Sequence, residues 1–265
     1  MALRVLTASS TAALIALATV KDRLGITDTA QDTQLNQLIA EASSAIVAYL
    51  GRDLARQRYE QSTRGDHRRR LLLERFPVDR DSITLTVDGT AATDFAIYDA
   101  SVGMLSRAIG WPCPSSADDD ENNVVATYKA GYVLPDQIST WTAAATATLG
   151  KWLRPTSPAL SPLLFEITTG GTLHAATEAT WPTTAGQTVT NGTAVMTARD
   201  AQELPQVLVN CAWLTVQEFR QRLTRLAGAT SMSADGFSVS YDLKALDCAL
   251  PGNVERSLDQ WRIQA

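Results

Sequence analysis

Histidine and cysteine are scarce in this chain: His67 and His174, with Cys113, Cys211 and Cys248, are all that 265 residues contain. Their spacing fits no zinc site, and an odd number of scattered thiols makes no disulfide framework. Also absent are a GxxxxGKS or GxxxxGKT loop, a GxGxxG turn, an HExxH helix and a GxSxG elbow, which removes the commonest phosphate, dinucleotide, metallopeptidase and serine-hydrolase chemistries. His174 follows Gly170-Gly171 but has no nucleophile or orienting carboxylate at a working distance in sequence, and reads as a turn residue. No enzyme activity, cofactor or metal is expected.

Long apolar runs are missing too. No stretch reaches the roughly 20 residues a membrane-spanning helix needs, so no membrane partner is expected. Ala12 to Val20 has the length of a signal-peptide core, but only Arg4 precedes it. It reads better as an amphipathic helix capped by Ser9 or Ser10, in a protein that is inside a cell at synthesis. The net charge of -5 excludes a uniformly basic nucleic-acid binder.

What is present is the balance of a globular protein, 45% hydrophobic and 19% charged. Asp32 to Arg52 carries the clearest pattern. Leu35, Leu38, Ile39, Ala42, Ile46, Tyr49 and Leu50 recur on one helical face, with Asp32 placed to cap the start and Gly51 to close the end. A short polar link, Gly25 to Ala30, joins it to the preceding helix in a helical hairpin.

Residues 56 to 130 alternate in short runs broken by Gly65-Asp66 and Asp88-Gly89, the pattern of a small antiparallel sheet in which Arg56 to Thr63 and Arg69 to Leu73 flank a turn. Arg64, Arg68, Arg69 and Arg70 cluster there, and Asp118, Asp119, Asp120 and Glu121 form an acidic block. The arginine cluster suits a charged hairpin tip or an inter-subunit contact, with phosphate binding the lesser reading, and the acidic block suits a solvated loop. The acidic block lacks the alternating ligands and glycine of a calcium loop.

From Ile138 to Ala198 only Lys151, Arg154, Glu166 and Glu178 are charged and threonine abounds, which marks a separate β domain over 136–201. Its strands are expected at Thr146 to Leu153, Leu163 to Thr168, Gln187 to Thr190 and Thr193 to Thr197. Trp141, Trp152 and Trp181 form either this domain's core or an aromatic surface for sugars. A third helix from Leu204 to Leu226 resumes the core, so the expected domains are 1–135 with 202–228, then 136–201, then an arm over 229–265. That arm is polar and turn-rich, and is expected to be mobile unless another chain orders it.

These segments in this order carry a resemblance. TVKDRLGI (19–26), LIAEASSAIVAYLGRDL (38–54), RFPV (75–78), ITLTVDG (83–89), YKAGYVLP (128–135), LPQVLVNCAWLTVQEFRQR (204–222) and SMSADGFSVSYDL (231–243) resemble the head-tail connector, or adaptor, proteins of tailed bacteriophages. The insert resembles small β modules of phage neck and tail proteins. The resemblance implies an α+β fold: a small helical bundle with a short antiparallel sheet, an inserted all-β domain and an extended C-terminal arm. It implies a structural role in the virion neck after assembly in the host cytoplasm, as a closed ring of about twelve copies. That ring docks under the portal, continues the channel through which DNA passes without sequence recognition, and meets a tail-side stopper or tail terminator. The arm, with Phe237, Tyr241, Leu243, Trp261, Arg262 and Ile263, is the part that would reach the portal. The alternative is a carbohydrate-binding or decorating virion protein acting through the insert.

Overall fold

The computed structural model describes residues 1–9, 11–114, 122–224, 231–234, 237–240 and 250–262. The fold is α+β, and the chain forms two compact units: Met1–Thr11 with Ala55–Glu203, and Ala12–Leu54 with Leu204–Ala265. This division differs from the expected one. The β regions before and within the insert share a unit, and the helices on either side of them form the other.

The β unit begins with a strand the sequence reading misses, β1 (Ala2–Thr7), whose side chains are almost all exposed. After β2 (Gln57–Thr63) come β3 (Arg70–Leu72), β4 (Thr84–Val87), β5 (Thr90–Ala92), β6 (Phe95–Asp99), β7 (Met104–Arg107) and β8 (Val124–Ala130). They build two sheets rather than one, in the orders β1-β2-β8-β4-β5 and β3-β7-β6. The Gly65-Asp66 stretch is therefore not a hairpin turn. β2 pairs with β1 and β8, while β3 pairs with β7, so the stretch carries the chain from one sheet to the other.

Alternation explains β8, where Val124, Ala126, Tyr128 and Ala130 are buried and the residues between them are half-buried. A single buried side chain, Gln61, spans the two sheets. Its Oε1 accepts hydrogen bonds from the Tyr128 hydroxyl at 2.9 Å and the Glu74 amide at 2.9 Å, and its Nε2 donates to the Leu72 carbonyl at 3.2 Å. Gln61→Leu leaves all three partners short of a bond in a dry core, and should lower stability by about 1–3 kcal/mol in urea denaturation.

The insert contributes β9 (Ile138–Thr140), β10 (Thr146–Ala147), β11 (Trp152–Arg154), β12 (Leu164–Thr169), β13 (Gly171–Thr172), β14 (Thr188–Asn191) and β15 (Ala194–Arg199). Five of these form a sheet in the order β14-β15-β12-β11-β9, antiparallel except for β9 against β11. The run from Thr146 to Leu153 is two strands, because a turn closed by the Lys151 amide on the Thr148 carbonyl divides it. One face of the sheet packs Leu153, Phe165, Ile167 and Met196 with Trp181 into a core. The other face turns Trp152 and Leu164 toward Val133.

A charged seam on that second face accounts for the shared unit. Arg199 bonds Glu166 at 2.9 Å and Asp81 at 2.5 Å, Lys129 lies 3.7 Å from Glu166, and Arg80 lies 3.3 Å from Asp200. Arg56 sits with its guanidinium 4.7 Å from the centre of the Trp152 ring and pairs with Asp79, of which only 3% of the side chain is exposed. Residues on either side of the expected boundary near 136 are thus bound together.

In the helical unit, α1 (Leu17–Leu24) is shorter than expected and lacks a side-chain cap. Leu14 and Ile15 precede it as buried residues of a bend, and the Leu14 amide donates to the Ser43 hydroxyl at 3.0 Å. α2 (Asp32–Leu50) has the expected length and closes on Gly51 in the left-handed conformation. Its buried face holds Leu35, Leu38, Ile39, Ala42, Ile46 and Leu50. Asp32 does not cap it; the carboxylate instead takes the Lys21 ammonium at 2.6 Å, tying α2 to α1. α3 (Gln206–Thr224) packs on α2, as the sequence predicts.

β16 (Ser231–Ala234) and β17 (Phe237–Ser240) pair antiparallel. Of the arm expected over 229–265, residues 250–262 pack within the chain. α4 (Gly252–Leu258) packs on α3, with Val254 and Leu258 fully buried. The Tyr49 hydroxyl donates to Asp259 at 2.6 Å, and the Arg262 guanidinium lies 5.3 Å from the centre of the Tyr49 ring. Leu250, Val254 and Leu258 recur every four residues, so even this seven-residue helix presents an apolar stripe within its own subunit.

Candidate functional site

The arginine cluster is mounted on two interlocked loops. The first leaves β2 at Arg64 and reaches β3 at Arg70; the second leaves β7 after Arg107. The His67 amide donates to the Trp111 carbonyl at 2.7 Å, the Trp111 amide to the Arg68 carbonyl at 3.0 Å, and the Arg107 amide to the Arg69 carbonyl at 2.9 Å. Asn123 closes the assembly: its Oδ1 accepts from the Gly65 amide at 2.9 Å and its Nδ2 donates to the Pro112 carbonyl at 2.8 Å.

Close approach leaves no room for side chains at the crossing. A Cβ on Gly65 would fall 1.9 Å from the Pro112 oxygen, and one on Gly110 would fall 2.5 Å from the His67 oxygen. Beneath the loops lies Trp111, with no exposed surface. Arg107 braces it from the side, with its guanidinium 5.6 Å from the Trp111 ring centre and Nε 3.0 Å from both Asp94 oxygens. The hydrogen bond from Arg107 holds the Asp94 carboxyl below the usual carboxylate range.

On this base Arg64, Arg68, Arg69 and Arg70 are all exposed. Arg68 lies 3.3 Å from Asp66, and Arg70 rests 4.6 Å from the centre of the Tyr98 ring. Large apolar groups accompany them: Ile109 is 76% exposed, and Tyr98 and Leu72 are both more than half exposed. Sequence reasoning finds the arginines but not these neighbours. Asp118, Asp119 and Asp120 lie outside the described residues.

The tryptophans of the insert do not form a platform. Trp152 is 3% and Trp181 5% exposed. The Trp181 ring centre is 4.4 Å from that of Phe165, and its indole donates to Glu178 at 2.9 Å. Trp141 is half-buried against the same core, with its indole bonded to Asn191 Oδ1 at 3.1 Å. A sheet this small needs its large rings to exclude water, so they serve as core. His174 is an exposed turn residue whose Nδ1 accepts from the amides of Ala176 and Thr177.

Of the expected portal-reaching residues, Trp261 is half-buried and Arg262 stacks on Tyr49 inside the helical unit. Phe237 lies in β17, while Tyr241, Leu243 and Ile263 fall outside the described residues. Cys211 is buried in α3, which pushes its thiol pKa up and makes it a poor nucleophile.

Exposed arginines on a hydrogen-bonded base beside exposed Ile109, Tyr98 and Leu72 have the composition of a protein–protein interface. The chain belongs to the head completion protein family, whose model matches residues 13–151. Among curated proteins none matches it in sequence. Among solved structures, a chain from the neck of an empty gene transfer agent particle, computed with C6 symmetry, is similar over 100% of this chain and 97% of that one, at 14% identity and a TM-score of 0.46. A chain from the virion of a native gene transfer agent particle is similar over the same shares, at 15% identity and a TM-score of 0.45.

Proposed function

We propose that this protein is a non-enzymatic ring subunit of the phage neck. Copies close into a ring under the portal, DNA passes through without being read, and a tail-side stopper or terminator binds the far face. The observation that carries this reading is the combination of exposed arginines with Ile109, Tyr98 and Leu72 on a locked backbone. Arginine beside tyrosine and aliphatic groups is the composition of a protein interface core, and a rigid mounting loses little entropy on docking.

Contact with the portal is assigned to the stretch around β16 and β17, carrying Phe237, Tyr241 and Leu243. Trp261, Arg262 and α4 are engaged within the subunit, so they are not assigned that contact. Purified full-length chain mixed with purified portal should co-elute on gel filtration. Phe237→Ala with Tyr241→Ala should weaken that association by about 1.5–3 kcal/mol per anchor buried, with the circular dichroism spectrum unchanged. Failure of the unmodified proteins to associate would overturn the proposal.

A further inference from the structure

The helical unit carries an apolar groove of 680 Å³ between α2, α3 and the start of α4. Its floor is Ala45, Ala48, Tyr49 and Phe219, and two carboxylates, Glu41 and Glu255, stand on its lining. The small side chains of α2 leave the groove open where larger ones would fill it. Arg262 and Arg222 lie against the Tyr49 and Phe219 rings, 5.3 Å and 5.5 Å from their centres, while Glu41 and Glu255 are the charged residues among the described lining; an apolar recess with carboxylates at its wall fits an apolar knob flanked by cations.

The β unit carries such a knob. Ile109, 76% exposed, projects from the turn that Gly110 presses against His67, with Arg68 and Arg69 on the adjoining loop. The two surfaces are opposite in shape, both apolar at the centre, and opposite in sign between Glu41 with Glu255 and Arg68 with Arg69. We infer that the two meet between copies: the Ile109 loop of one subunit enters the α2/α3/α4 groove of the next, with Arg68 and Arg69 facing Glu41 and Glu255. Such a contact is head-to-tail, joining two different patches, and repeated rotation closes it into a ring. Opposite charges at its edge fix register and speed encounter, while the buried side chain slows dissociation.

The inference rests on the ring reading and names the contact that builds the ring. Full-length protein with benzoylphenylalanine in place of Ile109 is irradiated at a concentration where mass photometry shows oligomers, and adducts are mapped by mass spectrometry. Between-copy adducts on residues 40–49, 219 or 250–255 are expected. In parallel, Arg68→Glu with Arg69→Glu and, separately, Glu41→Lys with Glu255→Lys should each weaken self-association about tenfold, and an equal mixture of the two variants should recover mixed dimers. Oligomers that crosslink elsewhere, or no recovery in the mixture, overturn this contact and leave the ring standing. Absence of any oligomer, alone or on the portal, overturns the ring reading and this contact with it.

Discussion

Asp79→Ala should cost about 3–5 kcal/mol of stability and loosen the insert from the sheet beside it. The Asp79 carboxylate accepts from Arg56 Nε at 2.9 Å and from Arg56 Nη2, and only 11% of the Arg56 side chain is exposed. Removing the carboxylate leaves a guanidinium buried beside Trp152 without its counter-ion, which is far worse than never having the pair. Replacing both partners together, Arg56→Met with Asp79→Leu, should therefore recover most of the loss.

Trp111→Ala should be as damaging, at about 3–5 kcal/mol, because it empties the space under the arginine loops. The indole has no exposed surface and packs with Leu71, Leu105 and Val124 in the first core. Its Nε1 makes no hydrogen bond among the described residues, so the ring's value lies in volume and contacts. Trp111→Phe gives up no hydrogen bond and should cost markedly less. Limited trypsin digestion separates the local effect from the global one. The locked loops should resist cleavage at Arg68, Arg69 and Arg70 in the unmodified protein, and be cut rapidly in Trp111→Ala under conditions where the rest still folds.

The parts of this fold that were legible from sequence are those written locally. α2 announces itself through seven apolar positions at helical spacing and a closing glycine, and its partner α3 does the same after Pro205. β8 shows its alternation openly. The misses come from information held across distance. Arg80, Asp81, Lys129, Glu166 and Arg199 have nothing in common along the chain, yet they form the seam that joins the insert to its neighbour. α4 is only seven residues long in a turn-rich stretch, and its stripe acquires meaning only against α3.

For the assembly surface the division is similar. Four arginines within seven residues stand out in any reading, but the base that makes them useful does not. It consists of an asparagine, two glycines and a tryptophan drawn from three separate segments, Gly65, Gly110 to Trp111, and Asn123. The tryptophans of the insert misled in the opposite sense. Aromatic residues in a charge-poor stretch suit both a core and a platform, and the alternation of β11 and β12 that decides between them depends on which face is covered.

Electron cryomicroscopy of the intact particle tests the central claim most directly. The account predicts a closed ring of this chain, coaxial with the portal and between it and the tail, with DNA density on the axis and the arginine loops at contacts between subunits. Finding the chain dispersed over the capsid exterior, or as single copies away from the portal axis, would contradict it.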